Sequence, residues 1–90
     1  MGRRREYPEF EGMTTDDIIE LLRLSKLRSE DKEIAVQCIC WGKYDVEAGA
    51  DVGYSRSAAS WRMREKILPE LRRIMNTLEA RDELRRKTGA

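Results

Sequence analysis

Histidine is absent from this chain of 90 residues, and only six glycines and two cysteines are present. Without histidine there is no imidazole general base, no Ser-His-Asp triad and no zinc site of the usual Cys/His kind. None of the glycines forms the glycine-rich loop that holds a phosphate group. We therefore expect no enzymatic activity, no cofactor and no metal site.

The sequence also lacks a long apolar run and the cysteines of a small secreted domain. No segment approaches the roughly 18 apolar residues of a membrane-spanning helix. The arginines near the N-terminus are not followed by the apolar stretch of a signal peptide. Cys38 and Cys40 would point about 200° apart on a helix, so they can neither chelate one metal nor form an unstrained disulfide. We expect reduced, buried cysteines in a cytoplasmic protein that contacts no membrane.

Charge is abundant but unevenly distributed. Charged residues make up 39% of the chain and the net charge is only +1. The segment 54–73 nevertheless holds six basic residues against two acidic ones, and Arg3, Arg4 and Arg5 form a second basic cluster. Such a stretch is typical of a nucleic-acid interface, although a solvated helix face has the same composition. Charge alone leaves both interpretations open.

Hydrophobic spacing and capping signals predict an all-α fold, a small bundle of four to five helices. The expected helices are 15–24 with Thr14 as its cap, 29–41 ending before Gly42, 45–52 capped by Asp45 and ended by Gly53, and a fourth beginning after Ser55. Pro69 should kink this last helix or begin a new one. Residues 70–87 are helical by propensity.

These elements suggest three segments. Residues 1–12 are expected to form a flexible basic arm, because Pro8 and Gly12 disfavour regular structure there. Residues 13–69 would form the main domain. Residues 70–90 would form a charged C-terminal helix, either appended to that domain or part of it.

The third and fourth helices have the spacing of a helix-turn-helix. Gly53 supplies the turn, and Gly49, four residues earlier, is the small residue needed where two helices cross. The inward positions are expected to be Ala48, Val52, Tyr54, Ala59 and Met63.

These residues resemble region four of bacterial sigma factors and the similar helix-turn-helix domains of phage and prophage transcription activators. The matching elements are Glu47-Ala48-Gly49, Val52-Gly53-Tyr54-Ser55, Ala59 and Arg62-Met63, with an upstream helix over 27–41. The resemblance covers about residues 27–71. It implies a domain that reads promoter DNA, with double-stranded DNA and RNA polymerase as partners.

Docking of the fourth helix in the major groove then predicts the DNA-binding residues. They are Ser55, Arg56, Ser57, Ser60, Trp61, Arg64, Lys43, Tyr44, Arg62 and Lys66. Arg56 is the expected base reader, because a guanidinium can bridge the two acceptors of guanine. The residues suited to contacts with the DNA backbone are Lys43, Tyr44, Arg62 and Lys66. For Arg62 and Lys66, ion pairs with Glu65 or Glu70 are an equal alternative. Asp16, Asp17, Glu30 and Asp31 are expected to be helix-end carboxylates and not acid/base pairs.

Trp61 has three alternatives. It packs against the first helix, it forms a dimer interface with Leu68 and Met75, or it faces DNA. The second alternative follows from spacing, because Trp61, Leu68 and Met75 are seven residues apart. Because Leu71, Ile74 and Leu78 add further apolar surface, we expect a homodimer through residues 68–84.

Three functions fit these observations. The first is a sequence-specific DNA-binding transcription regulator, phage-related in kind, that occupies DNA or contacts RNA polymerase through its acidic helices. The second is a phage packaging or assembly module that binds DNA. The third is a helical protein-interaction module without DNA binding, which the near-neutral net charge favours.

Overall fold

A computed structural model of the chain describes residues 7–87, with side chains described through Glu79. A 3-10 turn, Pro8–Phe10, precedes the helices α1 (Thr15–Leu24), α2 (Ser29–Ala35), α3 (Asp45–Asp51), α4 (Arg56–Arg62) and α5 (Leu68–Lys87). One π turn, Val36–Cys40, extends α2, and a second, Met63–Ile67, joins α4 to α5. All regular structure in the described range is helical, which confirms the predicted all-α bundle.

Local capping chemistry sets the helix boundaries. The Thr14 hydroxyl accepts a hydrogen bond from the Asp17 amide, and the Asp17 carboxylate accepts one from the Thr14 amide. Two backbone amides that have no partner within the helix are thereby satisfied. Ser55 caps α4 by accepting from the Ala58 amide at 3.2 Å. The prediction for Asp45 was wrong by one residue: Tyr44 holds the cap position of α3, and Asp45 begins the helix.

The helix passes Pro69 without a break. In a uniform α-helix the proline ring would clash with the carbonyl of Glu65. The π turn lies directly before this point, and the Leu68 amide donates to the carbonyl of Met63, five residues earlier. Leu68 itself has helical dihedrals, with φ −61° and ψ −44°. Pro69 therefore lies in the first turn of α5, the position in which its missing N–H costs least.

One hydrophobic core joins α1, α2, α3 and α5, the two π turns and the N-terminal turn. Its largest fully buried apolar side chains are Phe10, Ile18, Ile34, Ile39, Ile67 and Leu71. The expected flexible arm over 1–12 is therefore wrong for residues 7–12, because Phe10 is 0% exposed and Glu9 lies 3.4 Å from the Arg72 guanidinium. Burial of a phenylalanine stabilises this turn by about 1.5–3 kcal/mol. Arg3, Arg4 and Arg5 lie outside the described residues.

The start of α5 belongs to the same core. Leu71 is fully buried and Ile74 is 6% exposed, while Leu68 and Met75 pack against the core from its edge. These side chains therefore cannot form the expected dimer interface over 68–84, because they are already covered within one chain. The side chains of residues 80–84 lie outside the described ones. Among the α5 side chains that are described, Leu78 is the large apolar one that is exposed.

Both cysteines were expected to be buried, and the structure confirms this for Cys38 only. Cys38 is fully buried and Cys40 is half-buried, and no disulfide joins them. Among the described helices, none is both long and apolar enough to span a membrane.

Candidate nucleic-acid interface

The turn between α3 and α4 places the two helices in a helix-turn-helix arrangement. Gly53 has φ +89°, a left-handed conformation that glycine adopts without steric cost. The Tyr54 amide donates to the carbonyl of Gly49 at 2.8 Å, and the Gly53 amide donates to that of Ala50 at 3.2 Å. These bonds satisfy the last carbonyls of α3 and direct the chain into α4.

Gly49 is the residue at which the two helices touch. A Cβ atom built on Gly49 would lie 2.3 Å from the Cβ of Ala59 and 3.5 Å from that of Tyr54. Ala48 and Ala59 are both 0% exposed. The contact is thus a close approach of small residues, and it fixes the position of α4 on the domain.

The outward face of α4 carries the residues predicted to contact DNA. Arg56, Ser57, Trp61 and Arg64 are exposed, and Ser60 is half-buried. Ser55 is exposed as well, but its hydroxyl already accepts the capping hydrogen bond. By helical spacing, Arg56, Ser57, Ser60 and Trp61 share one side of α4, and Arg64 follows in the π turn.

The cations near α4 differ in how they are paired. Arg64 contacts Glu65 at 3.0 Å and Lys43 contacts Asp51 at 3.3 Å. Both pairs are exposed, and such pairs contribute little to stability. Arg56, in contrast, makes no ion pair with any carboxylate of the described range. Its guanidinium is available to a ligand.

Trp61 is 44% exposed, and the main contacts of α1 are with α5 and the first π turn. The structure therefore does not support the alternative in which Trp61 packs against α1. The ring lies between two cations, with Lys66 Nζ at 5.4 Å and the Arg62 guanidinium carbon at 5.9 Å from its centroid. These distances allow cation–π attraction. Leu68 and Met75 turn toward the core, so the sevenfold stripe is not one continuous surface.

Arg62 has a partner that the sequence did not indicate. Its guanidinium forms a two-point hydrogen-bonded ion pair with Asp31, and neither Glu65 nor Glu70 is involved. Asp31 is 0% exposed, and its hydrogen bonds to Arg62 raise the pKa of that guanidinium above its ordinary value. The pair connects α2 to the end of α4, and it removes Arg62 from the side chains available to DNA.

Asp31 is the centre of a larger polar network. The Tyr54 hydroxyl donates to it at 3.4 Å, and Arg28 Nε lies 3.7 Å from its second oxygen. Arg28 also donates to the Tyr54 hydroxyl. The sequence correctly placed Asp31 at the start of α2 but showed no sign of this role, because its partners lie 23 and 31 residues further along the chain.

Glu70 forms a second polar junction. It accepts two hydrogen bonds from Arg73, at 2.8 and 2.9 Å, and one from the Lys26 amide at 2.8 Å. These bonds, first of all those from Arg73, lower the pKa of Glu70 from 4.5 to about 2. The junction holds the connection between α1 and α2 against α5.

This low pKa predicts an acid-sensitive contribution to stability. The unfolded chain binds a proton at Glu70 near pH 4.5 and the folded chain only near pH 2, so stability falls as the pH drops through this interval. Urea unfolding should show Glu70→Gln less stable than the unmodified chain above pH 5, with the difference shrinking toward pH 2. A difference that does not change with pH would contradict this. Glu11→Gln, at an exposed glutamate with no ion pair among the described residues, controls for charge removal alone.

Two exposed aromatic residues flank the connection between α2 and α3. Trp41 is 59% exposed and Tyr44 is 51% exposed, and Lys43 lies between them. The Tyr44 amide donates to Glu47 at 3.0 Å. This connection therefore presents aromatic and basic groups beside the helix-turn-helix, as the predicted backbone contacts of Lys43 and Tyr44 require.

Comparisons with protein-family models, curated proteins and solved structures give no match for this chain. Among the described side chains, no group of three or more potential ligands could hold a metal ion. The interpretation of the site therefore depends on its geometry and charge.

Proposed function

We propose that this chain binds double-stranded DNA through α4, as a sequence-specific transcription regulator. The observation that carries the proposal is Arg56, which is exposed and has no ion pair within the described part of the chain. It lies in the first turn of α4, the helix that Gly49 contacts at Ala59. In helix-turn-helix proteins this part of the second helix reads the major groove. Arg56 would contact guanine, and Ser57 and Ser60 would contact base edges or phosphates.

The flanking groups would contact the sugar-phosphate backbone. Along the chain, Lys43 and Tyr44 directly precede α3, and Arg64 and Lys66 lie in the π turn that follows α4. Surface ion pairs such as those of Lys43 and Arg64 are weak, so phosphates can replace their partners. Trp61 would face the DNA from the last turn of α4. Contact with RNA polymerase remains a prediction from the resemblance.

Selection of bound duplexes from a random DNA pool tests this function. A defined sequence motif supports a regulator. Binding that depends on duplex length without a motif would support an assembly or packaging module instead. No enrichment at any salt concentration would contradict DNA binding and favour a protein-interaction module.

Two substitutions separate base contacts from backbone contacts. Arg56→Ala should reduce discrimination between the selected sequence and a scrambled duplex by about 5- to 150-fold, as loss of a bidentate base contact does. Lys66→Ala should weaken both duplexes alike and lower the slope of log K against log salt by about one. Titration by fluorescence anisotropy measures both effects.

Arg23→Ala is the matched control, because Arg23 is exposed on α1 and pairs with Glu20. It removes the same charge and should leave discrimination unchanged. If Arg56→Ala and Arg23→Ala weaken both duplexes equally, Arg56 is not a base reader.

A further inference from the structure

A basic notch lies beside the helix-turn-helix, where the connection between α1 and α2 meets the π turn and α5. We define it by Lys26, Arg28, Arg62 and Lys66, with Asp31 and Glu70 at its base. Its volume is about 220 Å³. Lys26 and Arg28 come from a part of the chain for which the sequence suggested no ligand contact.

The notch has an excess of positive charge. Four basic side chains face two carboxylates, which leaves two positive charges uncompensated. Both carboxylates are also already engaged. Asp31 is fully buried under Arg62 and Arg28, and Glu70 is held by Arg73 and by the Lys26 amide.

The arrangement of the cations suits an oxyanion. The Arg28 side chain is 58% exposed, and its position is held by Asp31 and by the Tyr54 ring, whose centroid is 5.7 Å from the guanidinium carbon. Lys66 is held similarly over Trp61. Cations that are already positioned lose less entropy when they bind a ligand, and charge-assisted hydrogen bonds to phosphate are among the stronger ones.

We propose that the basic notch binds a single phosphate group, with Lys26, Arg28 and Lys66 as its ligands. The phosphate belongs either to the backbone of DNA bound by α4 or to a separate phosphate-bearing ligand. Only the first of these alternatives rests on the proposed function. Arg62 serves as a positioning residue, because its guanidinium is bound to Asp31.

The test uses Trp61 as a reporter. Trp41→Phe leaves Trp61 as the one tryptophan of the chain, beside Lys66. Sodium phosphate is titrated against sodium chloride at constant ionic strength, followed by Trp61 fluorescence and by the backbone amide shifts of Lys26 and Arg28. We expect a saturable response that Lys26→Gln with Lys66→Gln weakens about tenfold or more, since hydrogen bonds to charged groups are lost. Lys32→Gln, a lysine of α2 outside the notch, should leave it unchanged.

A duplex titration of the same variants identifies the source of the phosphate. Lys66→Gln alone is the reference here, because loss of Lys66 is already expected to lower the salt slope. A slope that the double variant lowers by about one more than Lys66→Gln assigns the phosphate to the DNA backbone. No further change in slope, together with saturable phosphate binding, assigns it to a separate ligand. Either result supports the notch, even if the chain fails to bind DNA and the proposed function is wrong. A response that does not saturate by either readout, or one that the double variant retains in full, would overturn the proposal.

Discussion

Gly49→Leu is expected to unfold the helix-turn-helix, and even Gly49→Ala should destabilise the chain. The added Cβ would lie 2.3 Å from the Cβ of Ala59, and neither atom can rotate away because each is attached directly to a helix backbone. Overpacking of this kind typically costs about 1–3 kcal/mol. Alanine would otherwise stabilise a helix by about 1 kcal/mol relative to glycine, so a net loss can arise only from the contact. Urea unfolding measures the effect.

Ala59→Gly provides the matched test of this contact. It removes the methyl group that the new Cβ would meet, so the double variant Gly49→Ala with Ala59→Gly should be more stable than the sum of the two single changes predicts. Independent, additive effects would show that α3 and α4 do not cross at Gly49. The helix-turn-helix geometry would then be incorrect.

Loss of Asp31 is expected to have the largest effect of a single polar substitution. Asp31→Ala leaves the Arg62 guanidinium, whose side chain is 19% exposed, without its partner. Removal of one member of a buried ion pair typically costs about 3–5 kcal/mol, because the remaining charge is uncompensated. For a domain whose total stability is about 5–15 kcal/mol, this is a large fraction. The free energy of unfolding in urea, with Asp16→Ala as the exposed control, measures it.

The pair can also be replaced as a unit. Asp31→Leu with Arg62→Met should recover most of the stability that Asp31→Ala loses, since hydrophobic residues of similar size often substitute for buried ion pairs. If Asp31→Ala costs no more than Asp16→Ala, then Asp31 is an ordinary helix-end carboxylate. A stable double variant that still reads its DNA sequence would show that the pair serves stability and not recognition.

These two contacts have a common consequence for the proposed interface. Gly49 sets the distance between α3 and α4, and Asp31 holds the far end of α4 through Arg62. These contacts support the outward face with Arg56 and Trp61 at the middle of α4 and at its C-terminal end. A DNA-reading helix requires such support, because contacts to base edges depend on positions held within about 0.5 Å.

The number of the main helices, their approximate positions and their order can all be inferred from the sequence. Thr14, Ser55 and Gly53 act on groups three or four residues away, so their effects can be inferred without knowledge of the rest of the fold. The small residues at positions 49 and 59 likewise follow from the spacing of a helix-turn-helix. The candidate DNA-binding face of α4 could be predicted for the same reason.

The burial of particular side chains and the pairing of particular cations depend on the tertiary structure. Phe10 enters the core from a segment that composition marks as irregular, and Leu71 is covered inside one chain and not by a partner. Asp31 and Arg62 meet although 31 residues separate them. Periodicity specifies the face of a helix but not the neighbour of that face, and burial and ion pairing depend on the neighbour.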